Sequence, residues 1–262
     1  MELRFVSLKS HPELLHDLLN MENTWPEFIR QDPFGELFYN SDVLLRLADY
    51  TLLALDDHGT IIAKAHSIPF QLPSSGELPA DGWDGVIRRG LHSLLTGSTP
   101  NAISALEIAV RSDAQGRGIS AQILAAARAN ARQLGFSQLL APVRPNGKRD
   151  PLEDMQTYAL RTRDDGLPLD PWLRTHVRAG GTIEAVALRS MVVTGRISEW
   201  QEWTNLPFDA SGPVHVPHAL TPVSCDVEYD IATYVEPNIW VSHDTLDRVV
   251  PTGGPLSEVP EP

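Results

Sequence analysis

Apolar residues recur along the chain at two spacings, one typical of strands and the other of helices. Residues 3–8, 50–55 and 60–70 have the composition of strands, and Asp56-Asp57-His58-Gly59 has the composition of a turn. These segments predict a short first strand followed by an antiparallel hairpin. Between them, residues 11–20 carry four leucines at the spacing of a helix with one apolar face.

The middle of the chain has the clearest pattern. Residues 102–110 hold one charge among nine residues, which predicts a central strand covered on both faces. Residues 119–134 repeat apolar side chains at helical spacing up to Gly135, and residues 137–143 read as another strand. A strand, helix and strand in this order predict a parallel pair with a right-handed crossover in a mixed sheet.

The remaining segments predict additions to this core. Residues 73–101 are bracketed by Pro, Ser and Gly yet contain helical periodicity, so we expect a helical insertion. We expect one domain over residues 1–245, with a C-terminal extension from about residue 195, and a flexible tail at 246–262. The other predicted elements are a helix at 170–178, a strand at 182–194, a helix at 197–204 and a strand at 238–243.

Charge and composition narrow the classes of function. The 262 residues carry 21 Lys and Arg against 34 Asp and Glu, and the net charge of −13 repels phosphate backbones and anionic lipids. We therefore expect neither a nucleic acid nor a membrane as partner. The single cysteine, Cys225, cannot form an internal disulfide, and the sequence shows no secretion signal or membrane span. A cytoplasmic protein is expected.

A glycine-rich turn lies where the central strand leads into the following helix. Such a turn exposes unpaired backbone amides at a helix N-terminus, and these amides can cradle a pyrophosphate. The alternative is an ordinary tight turn between a strand and a helix. Fingerprints of nucleoside triphosphate and dinucleotide sites are missing. The candidate binding residues are Gln115, Gly116, Arg117, Gly118, Ile119 and Ser120.

This turn resembles the acyl-CoA-binding signature Q/R-x-x-G-x-G/A of the GNAT superfamily of N-acyltransferases, with Gln115, Gly118 and Ser120 at its fixed positions. Ser120 departs from the usual Gly or Ala. The order of elements over residues 3–194 is similar to that of the family, and residues 106–124 carry the motif-specific part of the resemblance.

The resemblance implies a GNAT-like fold, a twisted mixed α/β sheet flanked by helices. A V-shaped opening would separate the parallel strands 102–110 and 138–143. It also implies acyl-CoA, most plausibly acetyl-CoA, as the donor in that opening. Backbone amides of residues 115–120 would bind its pyrophosphate. The residues that would hydrogen-bond its pantetheine arm are Ile108, Ala109 and Val110.

Glu107 is our first candidate for a general base, because it is the only charged residue of its strand and would lie beside the thioester. Freeing a lysine-like amine of its proton at pH 7 costs roughly 4.6 kcal/mol, so a base would help. Burial should raise the pKa of Glu107. The alternatives are a structural carboxylate bonded to a nearby arginine, and a side chain that points away from the cleft.

GNAT enzymes commonly place a tyrosine four residues before the glycine that ends the helix after the second crossover strand, where it protonates or hydrogen-bonds the leaving thiolate. Aligning that glycine with Gly180 puts His176 there, and an imidazole can do the same work. The alternative is an exposed histidine near the helix C-terminus. Weaker candidates, chosen only by residue type, are Tyr158, Tyr229 and Tyr234.

The resemblance therefore implies an N-acyltransferase that moves an acetyl or other short acyl group directly to a primary amine of a small molecule or peptide. The alternatives are a CoA-binding regulatory module without turnover, and an enzyme that uses a carrier-protein or aminoacyl-tRNA donor. We expect residues 73–101 and those after 194 to wall the acceptor side. We expect no metal site at His215, His218 and Cys225. The sequence leaves open whether the protein is a monomer or a homodimer.

Overall fold

A computed structural model describes residues 3–245, and one nine-stranded sheet organises them. All neighbouring strands are antiparallel except β4 and β5. The strands are β1 (Arg4–Ser7), β2 (Thr51–Leu55), β3 (Ile61–Phe70), β4 (Ala102–Val110), β5 (Gln138–Val143), β6 (Gly181–Gly195), β7 (Gly212–Val214), β8 (Val223–Asp226) and β9 (Ile231–Asp244).

The helices cover both faces of the sheet. They are α1 (Leu15–Leu19), α2 (Pro33–Phe38), α3 (Ser41–Arg46), α4 (Gly82–Thr96), α5 (Ile119–Gln133), α6 (Met155–Ala159), α7 (Pro171–Arg178) and α8 (Ile197–Thr204). Between residues 3 and 245, no helix is long and apolar enough to cross a lipid bilayer. The mixed α/β fold expected from the sequence is confirmed.

Two apolar clusters fill the space between the sheet and its helices. One cluster includes Phe70, Trp83 and Trp240, and the other includes Ile123 of α5 and Leu139 of β5. Both clusters bury side chains of β2, β3 and β4, because these strands are covered on both faces. This explains why β4 reads as an almost uninterrupted apolar run.

Local side-chain hydrogen bonds fix two of the predicted turns. Asp56 Oδ1 accepts hydrogen bonds from the amides of His58 and Thr60, and Gly59 takes a positive φ of 79° in the hairpin turn. Asp170 Oδ1 accepts from the first amides of α7, as expected for an N-cap residue followed by proline. Both the hairpin and the start of α7 are confirmed.

The two parallel strands touch at one end only. A single register pair, Ser104 with Leu140, joins β4 to β5, while β4 continues to Val110 in register with β3. Beyond Leu140, β5 remains paired with β9 on its other side. The strands therefore diverge towards their carboxyl ends, and the predicted opening between them is present.

The last described strand lies inside the sheet. β9 pairs with β6 along one edge, and its other edge pairs first with β8 and then with β5. The sequence pattern predicts only residues 238–243 of this strand, and it predicts neither β7 nor β8. The tail predicted at 246–262 lies outside the described residues.

Candidate active site

The divergence of β4 and β5 forms a cleft of about 430 Å³. Its walls come from residues 105–110 of β4, from residues 114–116, 119 and 120 before and within α5, and from residues 141–144 and 146 after the split. Trp172 and His176 of α7 close one side. The cleft therefore brings both predicted catalytic residues, Glu107 and His176, and most of the predicted donor-binding residues into one space.

The turn before α5 offers unused backbone donors to this cleft. Within the described part of the chain, the amides of residues 116–121 have no protein hydrogen-bond acceptor. Gly116 and Gly118 have φ values of 75° and 72°, in the left-handed region that favours glycine, and Gly118 is the N-cap residue of α5. The arrangement is suited to an anion, because the free amides and the helix dipole both present partial positive charge.

The side chains of this turn are placed differently from one another. Gln115, Gly116, Ile119 and Ser120 line the cleft. The Arg117 guanidinium donates to the carbonyl of Asp113, and the residue is exposed rather than among those lining the cleft. Arg117, a candidate binding residue from the sequence, is therefore not part of the cleft wall.

A bulge in β4 shapes the wall opposite this turn. His66 pairs with Glu107 and Ser67 pairs with Ala105, so Leu106 is the extra residue. The Leu106 carbonyl accepts a hydrogen bond of 3.0 Å from the indole of Trp83, which fixes the bulged segment. Past the bulge, Ile108, Ala109 and Val110 line the cleft on the side of β4 that β5 has left.

Glu107 is buried at 6% exposure and has four close neighbours. Its Oε1 accepts from the Trp25 indole at 2.9 Å, and its Oε2 accepts from the Tyr39 hydroxyl at 3.0 Å. The Lys64 ammonium lies 3.3 Å from Oε2, and His66 Nε2 lies 3.9 Å from it. The ion partner is thus a lysine, and not the arginine considered from the sequence.

The expectation that burial leaves Glu107 with a raised pKa is wrong. Burial does act to raise that pKa, but Lys64, His66 and the hydrogen bonds from Trp25 and Tyr39 outweigh it and bring the pKa below its ordinary value. Glu107 is therefore a carboxylate at neutral pH. Burial lowers the pKa of His66 to about 4, so its imidazole is neutral there.

Sequence reasoning missed the partners of Glu107, although one signal was present. Lys64 is the single ammonium-bearing residue within the apolar strand β3, just as Glu107 is the single charge of β4. Pairing the two strands brings these charges together. Trp25 and Tyr39 come from a polar stretch before the hairpin, and no periodicity in that stretch marks them.

A second cavity, of about 300 Å³, adjoins the first. Trp25, Trp83, Glu107 and Met191 line both cavities. The remaining wall of the second cavity comes mainly from residues 18–44, with apolar side chains such as Leu18 and Leu44, and from Lys64 and His66 of β3. The charged residues Arg30 and Glu36, both exposed, also line it. Glu107 therefore lies where two cavities meet.

His176 is a buried residue rather than an exposed one, at 2% exposure. Its Nδ1 lies 2.9 Å from Nε2 of His243, and its ring packs edge to face on Trp172 with centroids 4.5 Å apart. Burial and the neighbouring His243 lower the pKa of His176 to about 3. His176 is therefore a neutral imidazole at pH 7.

The three tyrosines considered as alternatives do not line the cleft. Tyr158 donates to Asp170, Tyr234 donates to Glu236, and Tyr229 is exposed. Cys225 is buried while His215 and His218 are exposed, and no group of three potential metal ligands occurs between residues 3 and 245.

Comparison with known proteins supplies the family. No model of a protein family matches the chain. The chain is 32% identical over 251 residues to the arginine N-acetyltransferase avaD of Aspergillus versicolor, covering 85% of this chain and 86% of that protein.

Two solved structures share the fold at low sequence identity. The loading GNATL domain of CurA from Lyngbya majuscula has a TM-score of 0.57 at 15% identity, covering 94% of this chain and 98% of that chain. The GphF GNAT-like decarboxylase, in complex with isobutyryl-CoA, has a TM-score of 0.55 at 17% identity, covering 94% and 100%. From the sequence relationship and the shared fold, the chain belongs to the GNAT superfamily and is an N-acyltransferase.

Proposed function

We propose that this N-acyltransferase moves a short acyl group, in the first place acetyl, from acyl-CoA to a primary amine by direct attack. One observation carries the proposal: a single cleft leads from the free amides at the start of α5, along the unpaired edge of β4, to Glu107. An elongated donor with an anionic end and an amide-containing arm matches these surfaces in that order.

The donor end of the cleft is suited to a pyrophosphate. The free amides of residues 116–121 and the N-terminus of α5, equivalent to roughly half a positive charge, face an anion without a competing protein acceptor. The net charge of −13 does not oppose this, because charges beyond about 8 Å are largely screened at physiological salt. The pantetheine amides would bond the open edge of Ile108, Ala109 and Val110.

The second cavity is our proposed acceptor site. It reaches Glu107 from the side away from the α5 turn, and it shares Trp25, Trp83 and Met191 with the donor cleft. Arg30 and Glu36 at its rim suit an acceptor with further charged groups. The 32%-identical relative is named for arginine, so arginine is the first acceptor to assay.

In the transfer, the amine nitrogen attacks the thioester carbonyl, and the carbon–sulfur bond then breaks with its electron pair on sulfur. The attacking nitrogen loses a proton, and the Glu107 carboxylate accepts it directly or through water. Because the pKa of Glu107 is lowered, the carboxylate also stabilises the positive charge that develops on nitrogen. His176 lies on the α7 side of the same cleft, where we place the leaving sulfur.

Cys225 has no part in this chemistry. The thiol is buried in β8, and burial raises its pKa, so it is a poor nucleophile. A direct transfer without a covalent enzyme intermediate follows. A lone buried thiol also fits a protein of the reducing cytoplasm, where we place this one.

Replacing Glu107 by Gln tests the proposal. Turnover of acetyl-CoA with an amine panel should fall at least about 100-fold, while the Kd for CoA in calorimetry stays within about threefold. Glu228→Gln, at an exposed carboxylate, is the matched control and should change neither.

Each other outcome removes a specific part of the proposal. A wild-type protein that binds no CoA contradicts the donor assignment. CoA binding without transfer to any amine, with arginine, polyamines and peptide N-termini in the panel, would leave a binding module. Undiminished turnover in Glu107→Gln would remove Glu107 from the mechanism.

A further inference from the structure

Two buried histidines form a pair at the wall of the donor cleft. His176 of α7 lines the cleft, and His243 of β9 lies behind it, with 2.9 Å between Nδ1 of the first and Nε2 of the second. Both residues are almost fully buried, at 2% and 0% exposure. The outer nitrogens, His176 Nε2 and His243 Nδ1, have no hydrogen-bond partner among the described residues.

The surroundings hold this pair in place. Gly181 stands beside the His243 ring, since a Cβ at that position would come within 2.7 Å of its Cε1 atom. Trp172 packs against the edge of His176 from one turn earlier in α7. The Arg128 guanidinium disfavours protonation of His243, and burial lowers the pKa of His243 to about 4. Two neutral rings therefore share one hydrogen between their facing nitrogens.

The shared hydrogen can belong to either ring, and the two choices leave different groups unpaired. If His176 donates, His243 must carry its other hydrogen on Nδ1, as a buried N–H without an acceptor. If His243 donates, its Nδ1 is a bare lone pair, and the remaining N–H of the pair is Nε2–H of His176. Either choice leaves one N–H and one lone pair without a protein partner between residues 3 and 245. His176 lines the cleft, where a bound group can accept a hydrogen bond from Nε2–H, whereas His243 lies behind it, and a lone pair on His243 Nδ1 suits the positive charge of Arg128.

We infer that His243 is a positioning residue for the proposed transfer, because it fixes His176 as the tautomer whose Nε2–H donates a hydrogen bond to the leaving sulfur. The inference rests on the proposed function and concerns how the same site treats its leaving group. As the carbon–sulfur bond breaks, negative charge grows on sulfur, and the neutral imidazole stabilises it without giving up its proton. The proton that ends on the thiol comes from the attacking nitrogen by way of Glu107 or water.

Nitrogen-15 NMR of the histidine rings tests the tautomer directly. Both His176 and His243 should appear as neutral Nε2–H tautomers at pH 7, with His176→Gln and His243→Gln assigning the signals. Two Nδ1–H tautomers, or a charged ring in either position, would overturn the assignment.

The dependence of kcat on the leaving group of the donor tests the positioning role of His243. His243→Leu should lower kcat about tenfold with acetyl-CoA and by a clearly larger factor with its oxygen-ester analogue, whose leaving oxygen is more basic and needs the hydrogen bond more. His243→Gln offers a side-chain N–H in place of Nε2–H and should recover most of the loss. Val241→Ala, two residues earlier on β9, controls for lost packing and should affect both donors equally.

The outcomes separate this inference from the proposed function. Equal losses with both donors in His243→Leu, or no recovery in His243→Gln, overturn the positioning role even when the wild-type enzyme acetylates amines. A wild-type protein that neither binds CoA nor acylates an amine overturns the proposed function itself. The NMR result then still decides the tautomer of the pair.

Discussion

Lys64 and Glu107 form a buried ion pair across neighbouring strands at the junction of the two cavities. A carboxylate whose pKa is lowered in the folded state adds stability above its unfolded pKa and loses that contribution as the pH falls through the folded value. Removing the ammonium leaves a buried carboxylate without its counter-ion, an expensive state at neutral pH.

We therefore expect Lys64→Met to lower the free energy of unfolding by about 3–5 kcal/mol at pH 7. The deficit should shrink as the pH falls through the lowered pKa of Glu107, because the carboxyl group is then protonated with or without Lys64. Urea unfolding of both proteins at several pH values measures this difference. Lys9→Met, which breaks the exposed pair with Asp49, should cost at most about 1 kcal/mol at every pH, and a constant deficit in Lys64→Met would contradict us.

At the residue scale, the sequence predicted the candidate site in part. A lone charge inside an apolar strand indicates Glu107. The helix position at which GNAT enzymes commonly have a tyrosine indicates His176. The sequence pattern does not predict the hydrogen-bond partners of Glu107, because Tyr39 and Trp25 lie 68 and 82 residues away from it in the sequence. With the charges of Lys64 and His66, these hydrogen bonds lower the pKa of Glu107, and no local pattern encodes them.

At the scale of elements, the turn that begins α5 depends on glycine for two reasons. Its backbone has a positive φ, and a side chain there would occupy the space proposed for the donor. Gly116 has a positive φ, and a Cβ there would meet no protein atom within 4 Å, so the protein itself has room for a side chain. We place the donor pyrophosphate in this open space beside Gly116.

Gly116→Ala should raise the KM for acetyl-CoA about tenfold and lower stability by about 1–2 kcal/mol from backbone strain. Gly97→Ala is the matched control, because Gly97 ends α4 with φ 71° and equally open surroundings. Steady-state kinetics and thermal unfolding of both variants measure the two effects. Equal KM values for the two variants would argue against a donor phosphate at Gly116.

The wall of the proposed acceptor site differs from the wall that the sequence predicts. Residues 73–101 and those after 194 were expected to form it. Of these, only Trp83 lines the second cavity among the described residues, and residues 18–44 supply most of the wall. Those residues fold into the short helices α1 to α3, and beyond the leucines of α1 they have too few turns to show an apolar stripe.

At the scale of the whole molecule, the sheet extends beyond residues 3–194, the range over which the order of elements is similar to that of the family. The strand β9 lies between β5 and β6, although the sequence placed it in an extension. Strand periodicity predicts the hairpin, β4 and β5, because each strand is a short apolar run bounded by turn residues. The position of β9 depends on pairings with β6 and β5 across about 40 to 100 residues, which periodicity does not show.

A chain ending at Gly195 should therefore fail to unfold cooperatively, since β5 and β6 both lose their partner. A chain ending at Thr245 should keep the full stability and activity of the protein, in line with a domain over residues 1–245. Denaturant unfolding followed by circular dichroism, with acetyl transfer as the second readout, compares the two. A cooperative transition in the shorter chain would contradict the role given to β9.

The single register pair between β4 and β5 has a mechanical consequence. The two halves of the sheet are held together beyond Ser104 by the packing of α5 rather than by the ladder itself. The donor proposed for the cleft would supply hydrogen bonds from its own amides to the edge of β4 that β5 has left, and would so connect the two strands. Release of the product would remove these hydrogen bonds, so we expect the sheet to be less rigid after each turnover than in the donor complex.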